Sequence, residues 1–233
     1  MRTVVVTGGG TGIGAAVCAR FAGDRVVSVG RTPGTVDTVC DVTDENAVAA
    51  LFSLLGRVDV LVNNAGVADS ATLARTTLED WRRQLDVNAT GAFLCMRAVV
   101  PGMVERGDGR VVTVASTAGL VGARYTTAYT ASKHAAVGLV RAVAAEVAGT
   151  GVTANAVCPT FVRTPMTDRT LDRISEKTGR SREDALAALE ASTPLGRLLE
   201  PSEVAEAVWY LGSHGAAAVN GQTLVLDGGA LQS

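Results

Sequence analysis

Lysine and histidine are scarce in this chain. Only two of the 21 basic residues are lysines, Lys133 and Lys177, and the only histidines are His134 and His214. The cysteines never form a C-x-x-C pair; they are Cys18, Cys40, Cys95 and Cys158. Structural zinc sites need clustered cysteine and histidine ligands, so we expect no metal site. Each cysteine lies in an apolar stretch, which favours reduced thiols in the core and a cytoplasmic setting.

Charge of either sign is also sparse. Charged residues form 19% of the 233 residues, hydrophobic residues form 47%, and the net charge is −2. This balance lacks the positive field typical of nucleic-acid-binding proteins and provides enough apolar side chains for a large core. We expect no uncharged apolar run close to the roughly 18 residues of a membrane span, and no signal peptide. We therefore predict one domain over 1–233 that binds a small molecule, and neither nucleic acid nor membrane.

Short β-branched runs alternate with longer helical patterns along the chain. The strands are predicted near 3–6, 26–29, 36–40, 58–62, 111–115, 152–157 and 223–226. The helical patterns cover 12–22, 44–55, 77–104 with a break near Asn88, 130–148 and 202–212. Continuous valine and leucine runs are typical of strands covered on both faces. The predicted fold is α/β, a doubly wound parallel sheet of about seven strands with helices on both faces.

Two segments depart from this alternation. Only residues 31–35 separate the second and third strands, whereas a helical crossover needs about ten or more residues. We expect a tight loop there and a thinly covered edge of the sheet. The stretch 163–200 is polar and rich in charge, which indicates helices inserted outside the sheet. We interpret this stretch as a lid over the substrate.

A glycine-rich turn, residues 7–14, follows the first strand and opens the first helix. Glycines allow a close backbone approach to a pyrophosphate, and the helix N-terminus offers free N–H groups. The spacing G-x-x-x-G-x-G differs from the G-x-G-x-x-G fingerprint. Its position between strand and helix still favours nucleotide binding over a plain glycine-rich connection. The candidate contacts are Gly8, Thr11, Gly12, Ile13 and Gly14.

The end of the second strand bears on which dinucleotide binds. In the dinucleotide fold an acidic residue there binds the ribose hydroxyls of NAD, whereas a basic one accommodates the 2′-phosphate of NADP. Arg31 occupies this place, so NADP(H) is favoured, with NAD(H) and a merely solvated arginine as alternatives. Further cofactor contacts are expected just past the third and fourth strands. They are Asp41, Val42, Asn63, Ala65 and Gly66.

Tyr129 and Lys133 lie four residues apart on a helical pattern and so share one face. An ammonium group favours the phenolate, and we expect Lys133 to lower the pKa of Tyr129 from about 10 toward neutrality. Ser116 lies where the fifth strand ends, with a hydroxyl free to bind a substrate oxygen. The pair alone is weak evidence, because such pairs are common on surfaces. In a chain that otherwise uses arginine, a lysine here favours a role for a compact point charge.

Seven short motifs occur in order and carry a family resemblance. They are Thr7-Gly8-x-x-x-Gly12-Ile13-Gly14, Asn63-Asn64-Ala65-Gly66, Asp86-Val87-Asn88-Ala89, Ser116, Tyr129-x-x-x-Lys133, Cys158-Pro159 and Asp227-Gly228-Gly229. On these motifs the chain resembles the short-chain dehydrogenase/reductase family over essentially its whole length. The stretches 155–159, 161–166, 194–197 and 200–205 are most similar to bacterial 3-oxoacyl-carrier-protein reductases and polyketide ketoreductases. The resemblance implies a single-domain Rossmann-type fold.

The resemblance also implies a role for each matching residue. Tyr129 would protonate the carbonyl oxygen as hydride arrives from the nicotinamide, or accept the proton of the alcohol in reverse. Ser116 would hold that oxygen, and Lys133 would bind the nicotinamide ribose and tune Tyr129. Asn88 would carry a water that relays protons. The remaining implied cofactor contacts are Tyr129, Lys133, Pro159, Val162 and Thr164.

Family members are commonly homotetramers or homodimers, and the apolar helix predicted over 89–104 is compatible with a subunit interface. Burial inside one subunit explains that helix almost as well. The chain departs from the family at Thr160, where glycine is usual, in the missing helix after the second strand, and in the absence of a basic residue over 117–123. The missing helix bears on NADP use, and the missing basic residue bears on the polyketide assignment.

The resulting hypothesis is an oxidoreductase that reduces a ketone with NADPH, with a 3-oxoacyl or polyketide type of substrate that a carrier could hold. One alternative is an NAD-dependent secondary alcohol dehydrogenase. The alternative of another class is a nucleotide-binding regulator without turnover, whose usual sign is loss of the tyrosine or the lysine. Both Tyr129 and Lys133 are present.

Overall fold

The computed structural model of the chain describes residues 1–231, which contain one seven-stranded sheet. Its strands are β1 (Thr3–Thr7), β2 (Arg25–Gly30), β3 (Thr38–Val39), β4 (Val60–Asn63), β5 (Gly109–Val114), β6 (Val152–Pro159) and β7 (Thr223–Leu226). All neighbours are parallel, in the spatial order β3-β2-β1-β4-β5-β6-β7. The order reverses between β1 and β4, which opens a crevice at the carboxyl ends of the strands. The predicted doubly wound α/β fold of Rossmann type is confirmed.

The α-helices lie between and beyond these strands. They are α1 (Gly12–Arg20), α2 (Glu45–Leu55), α3 (Leu78–Leu85), α4 (Gly91–Arg106), α5 (Thr127–Glu146), α6 (Pro165–Thr178), α7 (Arg182–Ala191) and α8 (Pro201–Leu211). One π-helical turn, Asp86–Thr90, separates α3 from α4 and is the break predicted near Asn88. Two helices, α6 and α7, occupy most of the stretch 163–200. They are inserted outside the sheet, as predicted.

The sheet is covered on both faces by apolar side chains. On one face α2, α4 and α5 contribute Leu51, Met96 and Val140 to a single cluster with the strands. On the other face α1 and α8 contribute Val17 and Val208. The strands between these layers are buried, as their continuous valine runs predict.

The β2–β3 edge has no covering helix, as the short connection predicts. The third strand is shorter than the predicted 36–40, and Val39 remains 55% exposed. The connecting loop is held instead by one polar pair. The Asp37 carboxylate accepts hydrogen bonds from Ser28 N (2.8 Å) and Ser28 Oγ (2.6 Å). These bonds hold the pKa of Asp37 below its usual range.

One helical segment is long and apolar, although charged residues such as Arg97 interrupt it. The continuous helical segment Leu78–Arg106 is long and apolar enough, by length and composition, to qualify as a membrane span. In the fold its α4 portion packs against the sheet, where Leu94, Met96 and Met103 are buried. Burial against a sheet is the ordinary state of an apolar core helix, so this segment is explained by the fold.

Candidate active site

A cleft of about 410 Å³ opens at the carboxyl ends of β1, β4, β5 and β6. Helix α6 and the start of α5 contribute its other walls. Eleven of the residues predicted from sequence line it, namely Gly8, Thr11, Gly12, Ile13, Gly66, Ser116, Tyr129, Lys133, Pro159, Val162 and Thr164. The crevice where the strand order reverses therefore brings the predicted cofactor and catalytic residues together.

The glycine-rich turn adopts a conformation that side chains would disturb. Gly8 has φ of 66° and Gly12 has φ of 53°, both in the left-handed region. A Cβ on Gly14 would lie 2.1 Å from the carbonyl oxygen of Gly8, so the first turn of α1 packs directly on the loop. Thr11 caps α1 without using its own side chain, which leaves its hydroxyl facing the cleft. The turn thus presents backbone N–H groups to a bound phosphate.

The end of β4 supports this turn from below. Asn64 Nδ2 donates hydrogen bonds to the carbonyl oxygens of Thr7 and Gly8, both at 3.1 Å. Thr7 Oγ1 accepts from the backbone N of Asn64 (3.0 Å) and of Ala65 (3.1 Å). Asn64 lines the cleft, whereas the predicted contact Asn63 lies behind it in a small internal cavity, 4% exposed. Ala65 lines the same internal cavity.

The predicted adenosine-side residues lie at the other edge of the turn and do not line the cleft. Arg31 is exposed, and its Nη1 lies 3.8 Å from Asp41 Oδ2. Partial burial raises the pKa of Asp41, but hydrogen bonds from Thr43 and the charge of Arg31 outweigh it and hold that pKa below its usual range. Val42 is buried and packs against Gly91, where a Cβ would come within 2.7 Å of it.

Ser116 and Tyr129 face each other across the deepest part of the cleft. Ser116 follows β5 in extended backbone, and its Oγ accepts a hydrogen bond from Ala118 N at 3.1 Å. Burial raises the pKa of the Tyr129 hydroxyl, and the Ser116 side chain only partly opposes this shift. The expectation that Lys133 lowers the pKa of Tyr129 was wrong for the protein alone, because desolvation of the phenolate dominates.

Lys133 is 6% exposed, and its charge has a backbone partner. Its Nζ donates to the carbonyl oxygen of Val114 at 3.1 Å and lies 5.8 Å from the centre of the Tyr129 ring. Burial lowers the pKa of Lys133 to about 8. The lysine therefore lies next to the tyrosine on the same helix face, as predicted, but without direct contact between the two polar atoms.

Asn88 lies on the π-helical turn, beside the cleft. Its Oδ1 accepts from Val67 N (2.8 Å), and its Nδ2 donates to Val67 O (2.9 Å) and Ser132 Oγ (2.9 Å). A Cβ on Gly66 would come 3.2 Å from Asn88 Oδ1 and 3.6 Å from Lys133 Nζ. Only glycine at position 66 keeps the space between these two polar atoms open, which fits a nicotinamide dinucleotide bound along the loop.

Several charged residues of the cleft were not predicted individually. Asp69 comes from the loop after β4, and Arg169 and Arg173 come from α6, within the stretch 163–200. Phe161 and Met166, the two ends of the stretch 161–166 that carries the resemblance, also line the cleft. The docking of α6 over the sheet brings Arg169 and Arg173 to the site.

The comparisons with known proteins agree with this geometry. Residues 11–230 match the family model described as enoyl-(acyl carrier protein) reductase. The chain belongs to the short-chain dehydrogenase/reductase family. It is therefore an oxidoreductase of that family, as its resemblance predicted.

Individual short-chain dehydrogenase/reductase relatives cover nearly the whole chain. The 3-oxoacyl-acyl-carrier-protein reductase FabG of Thermotoga maritima is 35% identical, over 98% of this chain and 97% of its own length. A crystal structure of a variant actinorhodin polyketide ketoreductase with NADPH matches with a TM-score of 0.89 at 38% identity, covering 98% and 96% of the two chains. Levodione reductase matches with a TM-score of 0.91 at 29% identity, also covering 98% and 96%.

Proposed function

We propose that this protein reduces a ketone to a secondary alcohol with NADPH. The observation that carries the proposal is the convergence of Ser116, Tyr129 and Lys133 on one cleft beneath a glycine-rich turn. Relatives of similar length are named reductases of 3-oxoacyl groups and of polyketides, which supports a β-oxoacyl type of substrate, free or held by a carrier.

Tyr129 carries its proton at neutral pH, because burial raises its pKa above the usual value. This is the form that an acid in ketone reduction needs. The nicotinamide, when bound, would supply the hydride to the carbonyl carbon. Tyr129 would give its proton to the carbonyl oxygen, while Ser116 Oγ would hold that oxygen by a hydrogen bond. The positive charge of Lys133 would stabilise the phenolate that remains, and a proton from solvent, relayed by a water that Asn88 would carry, would restore the phenol.

The proposal is tested by Tyr129→Phe, which removes only the acidic hydroxyl. We expect kcat for a ketone to fall by a factor of about 1,000, because a positioned general acid contributes about that much. Reduction is followed by loss of reduced-nicotinamide absorbance. Binding of NADPH, measured by its fluorescence, should remain within about twofold of the unmodified protein. Undiminished turnover in this variant would refute the assignment.

NADP(H) is the proposed cofactor because Arg31 is exposed at the end of β2, where a 2′-phosphate would bind. The NADPH bound to the actinorhodin ketoreductase supports this choice. Asp41, 3.8 Å away, favours the alternative, since it partly neutralises Arg31 and could receive a ribose hydroxyl of NAD(H).

Titration of both nucleotides separates the two cofactors. We expect Arg31→Ala to weaken NADPH binding about tenfold, the loss of one charge-assisted hydrogen bond, with NADH binding unchanged. Asp41→Asn is the matched variant, and it should leave the NADPH preference in place. Equal affinity of the unmodified protein for both nucleotides would contradict the role of Arg31.

We also infer a cytoplasmic homotetramer or homodimer whose subunit contacts include α4. The face of α4 turned away from the core carries Phe93, 41% exposed, with the Arg97 guanidinium 5.2 Å above its ring. An apolar side chain of this size on an unpaired helix face is typical of subunit contacts. Light scattering of the unmodified protein and of Phe93→Glu tests this assembly.

A further inference from the structure

A second cavity, of about 240 Å³, adjoins the cleft and shares Asp69, Ser70 and Arg173 with it. We call it the outer chamber; its other lining residues are Ala71, Thr76, Asp80, Gln84, Tyr125, Thr127, Ala128 and Lys177. We propose that the outer chamber is the distal part of the substrate site and binds the uncharged, hydroxyl- or amide-bearing end of an elongated ketone. This inference rests on the ketone reduction proposed above.

The two cavities meet at an ion pair of side chains that line both of them. Arg173 on α6 forms an ion pair with Asp69 in the loop after β4, and Arg83 on α3 pairs with the other oxygen of the same carboxylate. Arg173 is partly exposed and long, so it can move aside without a change of the backbone. A substrate that extends past this pair reaches the outer chamber directly from the cleft.

Gln84 marks the outer chamber as a binding site. It is 2% exposed, and one end of its amide accepts a hydrogen bond from Asp69 N at 3.2 Å. Among the hydrogen bonds of residues 1–231, none is donated by the amide nitrogen at its other end. The amide groups of buried residues are usually paired. Because Gln84 lines the chamber, a ligand oxygen there would complete its hydrogen bonding.

The charges around the outer chamber favour an uncharged ligand. Two carboxylates, Asp69 and Asp80, and two cations, Arg173 and Lys177, line it. Both carboxylates pair with Arg83, Asp69 also pairs with Arg173, and Lys177 Nζ donates to the carbonyl oxygen of Ser70 at 3.3 Å. The lining charges are thus already paired or hydrogen-bonded, whereas a hydroxyl or amide can donate to the carboxylates and accept from Gln84.

The two cavities therefore select different parts of one molecule. The cleft that contains Ser116 and Tyr129 is also lined by apolar side chains, such as Val121, Phe161 and Met166. The matching substrate carries its carbonyl at Ser116 and Tyr129, an apolar segment beside these side chains, and a hydroxyl or amide at its far end.

The test compares two ketones of equal carbon number, one with a terminal hydroxyl and one with a terminal methyl, beside a short ketone that cannot reach the chamber. The unmodified protein should reduce the hydroxylated ketone with a kcat/KM about tenfold above its methyl partner, the value of about one hydrogen bond. Gln84→Leu, similar in volume, should abolish this preference through KM and leave kcat for the short ketone unchanged.

Thr76→Val, at the rim of the chamber, provides a second variant in case Gln84→Leu folds poorly, and it should reduce the same preference. Arg173→Ala should raise kcat/KM for both long ketones, because it removes the side chain that pairs with Asp69 between the two cavities. Equal reduction of the two long ketones by the unmodified protein overturns the inference while the proposed function stands. Failure to reduce even the short ketone, or any other ketone, refutes the proposed function itself.

Discussion

The floor and the roof of the cleft are held by contacts of different kinds. In the floor, formed by the glycine-rich turn, Asn88, Ser116 and Lys133, the hydrogen bonds are partly or fully buried and end mostly on backbone atoms. In the roof, formed by α6 and α7, the main links are ion pairs between partly or fully exposed side chains. Arg182 bridges α7 to Asp168 and Asp172 of α6, and Arg173 pairs with Asp69.

Because of this difference, we expect the floor residues to determine the reaction and the roof residues to determine which substrates fit. Leaving a buried polar group without its partner costs about 1–3 kcal/mol, so each floor residue is held in one position. An exposed ion pair contributes only about 0–1 kcal/mol, so the roof can accept substitutions while the reacting groups keep their geometry. Arg169 and Arg173, which line the cleft and were not predicted individually, both belong to the roof.

The largest effect is expected where backbone meets backbone in the floor. Gly14→Ala would place a Cβ 2.1 Å from Gly8 O, a contact that only a shift of the turn can relieve. We expect a loss of about 4 kcal/mol in the free energy of unfolding, above the usual range for overpacking because neither atom belongs to a flexible side chain. Urea unfolding measures it. Gly23→Ala is the matched control, since nothing lies within 4 Å of its Cβ; equal behaviour of the two variants would contradict the model of a rigid floor.

Lys133 provides a smaller effect with a defined pH dependence. Its pKa is about 8 in the folded protein and near 10.5 in an unfolded chain, so between these values the unfolded state binds more protons. Stability contributed by this group therefore rises with pH from about 8 to about 10.5, by roughly 3 kcal/mol in total. Below pH 8 the full cost of burying the charge is present.

Lys133→Met should remove that rise. Relative to the unmodified protein, the free energy of unfolding of this variant should be highest at pH 7, and the difference should shrink by about 3 kcal/mol up to pH 10.5. Lys177→Met, at the chain's other and exposed lysine, should show no such trend. A parallel pH profile for Lys133→Met and the unmodified protein would show that Lys133 is not buried as a charged group.

The fold could be predicted from sequence because local and global signals agree. Valine runs such as those of β1 and β5 specify buried strands by themselves, and the order of strands and helices leaves a doubly wound parallel sheet. The length of β3 could not be predicted, because its limits depend on the loop that Asp37 and Ser28 hold together. The break near Asn88 could be predicted within 77–104, and the structure has a π-helical turn there.

The floor of the site was predictable to the same extent, since Ser116, Tyr129 and Lys133 follow from strand ends and helical spacing. The direction of the Tyr129 pKa was not, because helical spacing gives the nearest charge and not the burial of the phenol. Asn63 and Asn64 show a further limit. Adjacent residues at a strand end point to opposite sides, and sequence alone did not reveal that Asn64 holds the turn while Asn63 is enclosed behind it.

The roof supplies the smallest expected effect. Arg182 is 51% exposed and pairs with Asp168 and Asp172, whose side chains are 55% and 52% exposed. Arg182→Ala should therefore change the free energy of unfolding by less than about 1 kcal/mol, and 0.5 M salt, whose Debye length is only about 4 Å, should abolish most of that change. The kcat for a short ketone should stay the same, because no floor residue contacts Arg182. A loss of turnover as large as that of Tyr129→Phe would mean that the α6–α7 ion pairs hold the reacting groups themselves, and the separation of floor from roof would fail.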